Sequence, residues 1–148
     1  MAQLWTLRPA TGGDAQWLAD LKALAMRPDL ERLGLWDRAW ARQRFLDTFV
    51  PANTDVIEID GESVGVIAVR PEPDAQWIEH FYLHPSVHGR GIGEQVLYQV
   101  MDSHRDARPF RLAIDRGSKA RRLYERLGFV HEYDHRNGVD QVFSTKGR

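Results

Sequence analysis

The spacing of hydrophobic positions changes period several times along the chain, and each change marks an element. Leu4-Trp5-Thr6-Leu7-Arg8 alternates well enough for a first strand. Residues 9–13 form a breaker containing proline and glycine. Asp14 then stands where it can cap a helix with the apolar face Trp17, Leu18, Leu21 and Leu24, and Pro28 is placed to stop or kink that helix. A second helix starts near Asp37 and carries Trp40, Phe45, Leu46 and Phe49 before Pro51. Two apolar runs, 56–59 and 64–69, flank Asp60-Gly61, a strong hairpin signal. Residues 71–73 end the second run, and residues 77–83 form the next strand.

A helix opens at Gly91. Ile92, Val96, Leu97, Val100, Met101 and His104 fall on one face of it. Residues 110–114 alternate as a strand. Ala120, Leu123, Tyr124 and Leu127 mark a short helix that Gly128 ends in the C′ position. Residues 129–135 and 139–144 flank Asn137-Gly138, a second hairpin signal. The order β-α-α-β-β-β-α-β-α-β-β predicts an α+β fold: a mixed sheet of about seven strands with about four helices interspersed.

A length of 148 residues makes this one expected domain, 1–148. The chain has no cysteine, so a disulfide framework, a cysteine nucleophile and a thiolate metal site are excluded. The N-terminus lacks the charged and apolar regions of a signal peptide, and no apolar run is long enough to span a bilayer. A cytoplasmic protein is expected. The net charge of −1 gives no global attraction to nucleic acid. Yet Arg105, Arg108, Arg111, Arg116, Lys119, Arg121, Arg122 and Arg126 crowd into one stretch. They suit either a solvated helix face or an anionic partner such as a phosphorylated cofactor.

The loop His84-Pro85-Ser86-Val87-His88-Gly89-Arg90-Gly91-Ile92-Gly93 joins a strand to a helix and has the makings of a phosphate cradle. Its alternating glycines free backbone N–H groups to face a ligand, and the helix behind favours an anion. The spacing matches neither G-x-G-x-x-G nor the G-x-x-x-x-G-K-[ST] loop. His80, His84 and His88 recur every four residues, but they fall on extended chain and loop, where that spacing does not converge on a metal. No metal is expected.

Residues 79–93 resemble the acyl-CoA-binding motif of the GNAT (Gcn5-related) N-acetyltransferases, with His88, Gly91 and Gly93 at its marked positions. Ala120-Arg121-Arg122-Leu123-Tyr124-Glu125-Arg126-Leu127-Gly128-Phe129 is similar to the family's second motif, A-x-x-L-Y-x-x-x-G-F. The resemblance is strongest over 55–131. Two positions depart from the pattern: His88 replaces Arg or Gln, and Gly117 replaces a frequent Asn.

The resemblance implies a single-domain GNAT-like fold, its sheet mostly antiparallel, and acetyl transfer from acetyl-CoA to an amine. Glu79 becomes the expected base, acting directly or through a water; an ordinary ion-paired glutamate is the alternative. The backbone N–H of Leu83 is the oxyanion donor and Tyr124 the general acid. Cofactor contacts are expected from Tyr82, Leu83, His88, Gly89, Arg90, Gly91, Ile92, Gly93, Lys119 and Tyr124, with Arg116 and Arg121 as further phosphate candidates. His80 lies near the acceptor or simply packs. Trp36 is a lid candidate, while Trp40, Phe45 and Phe49 read as core. The polar tip 134–140 is placed to gate the cleft.

A small-molecule amine is the leading acceptor. The alternatives are a protein N-terminus or lysine, a non-catalytic acyl-CoA sensor, and a nucleic-acid module using residues 105–126. No membrane partner is expected; a homodimer fits the family's habit.

Overall fold

The computed structural model describes residues 5–146. Leu4 of the expected first strand, and the first four residues on which the leader reading rests, lie outside that range. The elements follow the expected order: β1 (Trp5–Pro9), α1 (Ala15–Arg32), α2 (Arg38–Thr48), β2 (Thr54–Ile59), β3 (Glu62–Pro71), β4 (Gln76–Leu83), α3 (Ile92–His104), β5 (Phe110–Asp115), α4 (Arg121–Arg126), β6 (Val130–Asp134) and β7 (Asp140–Ser144). The seven strands form one sheet in the order β1-β2-β3-β4-β5-β7-β6. It is mostly antiparallel; β4 and β5 pair in parallel through Gln76↔Phe110 and Trp77↔Arg111. The chain divides into two compact units. One holds the described residues up to Ala68 with His80–Ile92; the other holds Val69–Glu79 and the residues from Gly93 onward.

In the first unit, Leu18, Ala19, Leu21, Phe45 and Val66 form a core against which Trp17, Leu46, Phe49 and Tyr82 pack. Burying a side chain the size of Phe45 stabilises by about 2–3 kcal/mol. Asp37 caps α2 as its sequence position suggests, accepting from the Trp40 N–H at 3.0 Å. Asp60 (φ 51°) and Gly61 (φ 82°) make the hairpin turn between β2 and β3.

Several expectations need correction here. Pro28 neither stops nor kinks α1 out of existence; the helix runs through it to Arg32. Leu30 is buried with Ala23 and Ala41, and this packing outweighs the lost backbone bond. Leu24 does not join the buried face and is 44% exposed. The buried stripe runs through Leu18, Leu21 and Lys22, which puts position 24 on the far side. Trp40 is 47% exposed, and Phe49 follows the last turn of α2.

Asp14 does not cap α1 with its side chain. Its carboxylate instead takes two bonds from Arg8 (2.9 and 3.0 Å), one from the Thr11 N–H (2.9 Å) and one from Trp17 Nε1 (2.8 Å). Arg8 also reaches Glu58, so β1, β2 and α1 are tied through one buried acid. The Arg8 bond first, with Trp17 and Thr11 against the opposing effect of burial, holds the Asp14 carboxyl well below the usual range. Asp14→Ala is expected to cost about 2 kcal/mol, read from denaturant unfolding at neutral pH. A depressed folded pKa stabilises above pH 3.8, the ordinary aspartate value, and this contribution fades as pH falls through the lower folded value. The wild-type advantage in Tm should therefore shrink in strong acid.

In the second unit, Val96, Leu97, Val100 and Met101 of α3 are buried as the stripe predicts. His104 is exposed, its ring turned to the Val100 carbonyl at 2.9 Å. The α4 helix ends in two bonds to its own carbonyls, Gly128 N–H to Glu125 and Phe129 N–H to Tyr124. Phe129 follows, fully buried. β5 and β7 pair from Arg111↔Ser144 to Asp115↔Asp140.

Candidate functional site

In the first unit, the end of β4 feeds a tightly bonded loop. His84 N–H reaches the Val64 carbonyl at 2.8 Å. The His84 ring caps the single turn Pro85–Val87, with Nδ1 accepting from the Ser86 N–H at 3.1 Å. Val87 is buried and anchors the loop. Gly89 (φ 78°) and Gly91 (φ 75°) then adopt left-handed backbone, and α3 begins at the buried Ile92. A side chain strains such backbone, which is why glycine is needed here. The unsatisfied N–H groups of the first turn of α3 follow directly. His88 does not project freely: its Nε2 donates to the Leu83 carbonyl at 3.0 Å. Arg90 reaches the Ser86 carbonyl at 3.3 Å.

The strand leading into this loop is irregular at His80, which has φ 49°. Its ring lies 4.6 Å from that of Phe45, and Nε2 is 2.9 Å from Thr48 Oγ1. Burial first, then the charges of Lys22 and Arg44, push the imidazole down to about 4, so it is neutral at pH 7. Tyr82 donates to Met26 Sδ at 3.6 Å, and Lys22 Nζ stands 5.5 Å from the Tyr82 ring centre.

In the second unit, Glu79 Oε1 accepts from Arg70 Nε at 2.8 Å. Arg70 also pairs with Glu72 and lies over the Trp77 ring. Tyr124 is buried edge-on to Phe129, with ring centres 5.9 Å apart. Its hydroxyl makes no hydrogen bond to another described residue. Burial raises the phenol above its ordinary value, so it is a neutral donor at working pH. Gly117 has φ 76°, a conformation that asparagine also tolerates, which accounts physically for the departure at that position.

The family model described as "Acetyltransferase (GNAT) domain" matches residues 47–131. The chain belongs to the GNAT acetyltransferase family. It is therefore an acetyl-CoA-dependent acetyltransferase. Solved structures share its fold at low identity. PaiA N-acetyltransferase from Thermoplasma acidophilum, in complex with coenzyme A, has a TM-score of 0.75 at 15% identity, over 97% of this chain and 99% of that one. A GNAT-family acetyltransferase from Streptococcus agalactiae has 0.76 at 15%, over 100% and 98%. N-acetylglutamate synthase from Neisseria gonorrhoeae, complexed with coenzyme A and N-acetyl-glutamate, has 0.69 at 19%, over 98% of this chain and 35% of that one. No curated protein matches the sequence significantly.

In this GNAT acetyltransferase the basic stretch is largely paired. Arg108 meets Asp106, Arg111 meets Asp74 and Glu132, Arg121 meets Glu125, and Arg126 meets Glu94. Arg121 also covers the Phe143 ring. Lys119 is exposed. The three histidines turn to different partners, Thr48, Ser86 and Leu83. Among the described residues no group of three or more His, Cys, Asp or Glu could hold a metal ion, and no helix is long and apolar enough to cross a membrane. Trp36 packs on the Ala23–Leu30–Ala41 cluster, with Arg27 over its ring.

Two features escaped the sequence reading. The first is the left-handed His80, for which no residue pattern gives notice. The second is Gly65, where a Cβ would come 2.7 Å from both the Tyr82 carbonyl oxygen and Leu83 Cδ2. An isolated glycine within a strand was the available sign of that close approach. For the loop, Gly91→Ala puts a side chain on left-handed backbone at a cost of roughly 1 kcal/mol. The Kd for acetyl-CoA, measured by calorimetry, should rise about fivefold.

Proposed function

We propose that the enzyme, as one acetyltransferase domain over 1–148, moves an acetyl group from acetyl-CoA to a primary amine of a small molecule by direct attack. The amine nitrogen attacks the thioester carbonyl carbon. A C–N bond forms, the C–S bond breaks, and the products are an N-acetylated amine and CoA thiol. Glu79 takes the amine proton, directly or through a water; Arg70 holds one carboxylate oxygen and fixes its orientation. The Leu83 backbone N–H receives the oxyanion. Tyr124 donates to the departing sulfur.

The observation that carries this reading is Tyr124, a buried phenol kept protonated with its hydroxyl uncommitted. The backbone N–H groups of residues 89–93 take the pyrophosphate, with Tyr82, His88, Arg90 and Lys119 beside the cofactor. His88 acts there through the Leu83 carbonyl it already holds. Support for a small acceptor comes from the Neisseria enzyme of this fold, complexed with N-acetyl-glutamate. A cytoplasmic homodimer is part of the same reading, and sedimentation equilibrium tests the assembly.

The deciding experiment is thiol release from acetyl-CoA with polyamines, amino acids, aminoglycosides, arylamines and short peptides, against a blank without acceptor. Release with a small amine is expected. Release with peptides alone would make the acceptor a protein, and silence across the panel would leave a CoA-binding sensor.

A further inference from the structure

We propose that the acceptor carries an anionic group, in its simplest form a carboxylate, and that Lys22 and Arg44 receive it. This rests on the small-amine reading above and narrows it to amines of amino-acid type.

All the observations lie within the first unit. Lys22 is on the buried stripe of α1 and is only 7% exposed. Burying an ammonium is expensive, and an apolar side chain would fill that stripe at less cost. Its Nζ stands 5.5 Å from the Tyr82 ring centre, on β4. Arg44 comes from α2 and lies over the Trp40 ring at 5.1 Å. The charges of both act on His80, which sits between α2 and the strand with its ring on Phe45 and Thr48. His80 is neutral and offsets neither charge. The acids carried by the same helices are engaged elsewhere: Asp20 by Arg38 and Arg42, Asp47 by Gln43.

The result is a positive, aromatic-walled stretch along His80–Tyr82. Leu83, the proposed oxyanion donor, is the next residue in the strand, about 3.3 Å further on. An amine reaching the acyl carbon there would bring a group a few bonds away to Lys22 and Arg44. A carboxylate would be bound; the second ammonium of a polyamine would be repelled. The same positive field favours the uncharged amine, which is the nucleophilic form.

The test compares matched acceptors by thiol release: γ-aminobutyrate against butylamine and putrescine, and phenylalanine against phenylalaninamide. In the wild type, kcat/KM for each acid should exceed that of its uncharged or cationic match by about tenfold or more. Lys22→Met and Arg44→Gln should each cut that acid-to-amine ratio about tenfold. Calorimetric binding of acetyl-CoA checks that the variants are folded. If Lys22→Met fails to fold, Arg44→Gln, an exposed position, decides the matter. Preference for butylamine or putrescine, or a ratio unmoved in the folded variants, overturns the inference while leaving the small-amine acetyltransferase standing. Absence of thiol release with every amine overturns both.

Discussion

Tyr124→Phe should lower kcat by roughly 100-fold or more, with little change in the Kd for acetyl-CoA. The substitution removes one oxygen and keeps the ring that packs on Phe129. Nothing else in the core needs to move. Because the hydroxyl is buried and makes no hydrogen bond to another described residue, its loss should leave Tm unchanged or raise it. A fall in activity without a fall in stability separates a chemical role from a packing one. The sign of the pKa shift adds a second readout. Burial disfavours the phenolate, so the donor form persists beyond the ordinary phenol value of 10.0. The ratio of wild-type to variant kcat should therefore stay flat up to about pH 10. A thiol is ordinarily the stronger acid, near 8.5, so complete proton transfer from this phenol to sulfur is uphill. Tyr124 helps most as a dry hydrogen-bond donor while charge builds on the sulfur, with the proton balance closed by the amine. Wild-type turnover in Tyr124→Phe would reduce the residue to a core tyrosine.

The parts of the fold legible in the sequence are those with a strong local period or an unambiguous turn. The α3 stripe from Ile92 to Met101 and the Asp60-Gly61 hairpin are of this kind, since burial and turn chemistry act over a few residues there. The two motifs were legible for a related reason: left-handed Gly89 and Gly91, and Gly128 behind α4, are backbone demands that few residues meet. What stayed hidden depends on partners distant in sequence. Pro28 passes inside α1 because Leu30 packs beneath Ala41. Trp40 looks like core by spacing, yet α2 buries Ala41 and Phe45 and leaves the indole outside under Arg44. The Glu79–Arg70 pair and the left-handed turn at His80 arise only when β4 is laid beside its neighbours. The chemistry of the loop could be read, whereas the charges that choose the acceptor could not.

Gly65→Val should be the most damaging change away from the reacting groups, with Gly65→Ala a graded version of it. The backbone at Gly65 is ordinary, so the need for glycine is one of space. An added Cβ would lie 2.7 Å from the Tyr82 carbonyl oxygen, 2.7 Å from Leu83 Cδ2 and 3.1 Å from Ile57 Cδ1. The leucine methyl can rotate away, but the carbonyl is backbone, so β4 itself has to shift. Overpacking of this kind destabilises by about 1–3 kcal/mol, seen as a lower midpoint in denaturant. The larger effect falls on turnover. The peptide that must move joins Tyr82 to Leu83, so it carries the proposed oxyanion donor. His84 N–H is fastened to the Val64 carbonyl one residue along β3, which leaves the segment little room to relax. A displacement approaching 1 Å at a donor costs about 100-fold in rate. Measured well below Tm, kcat should fall at least tenfold in Gly65→Ala and further in Gly65→Val. Loss of stability with kcat intact in Gly65→Ala would mean that Leu83 does not donate to the oxyanion, and the acceptor chemistry would then have to find its electrophilic support elsewhere along β4.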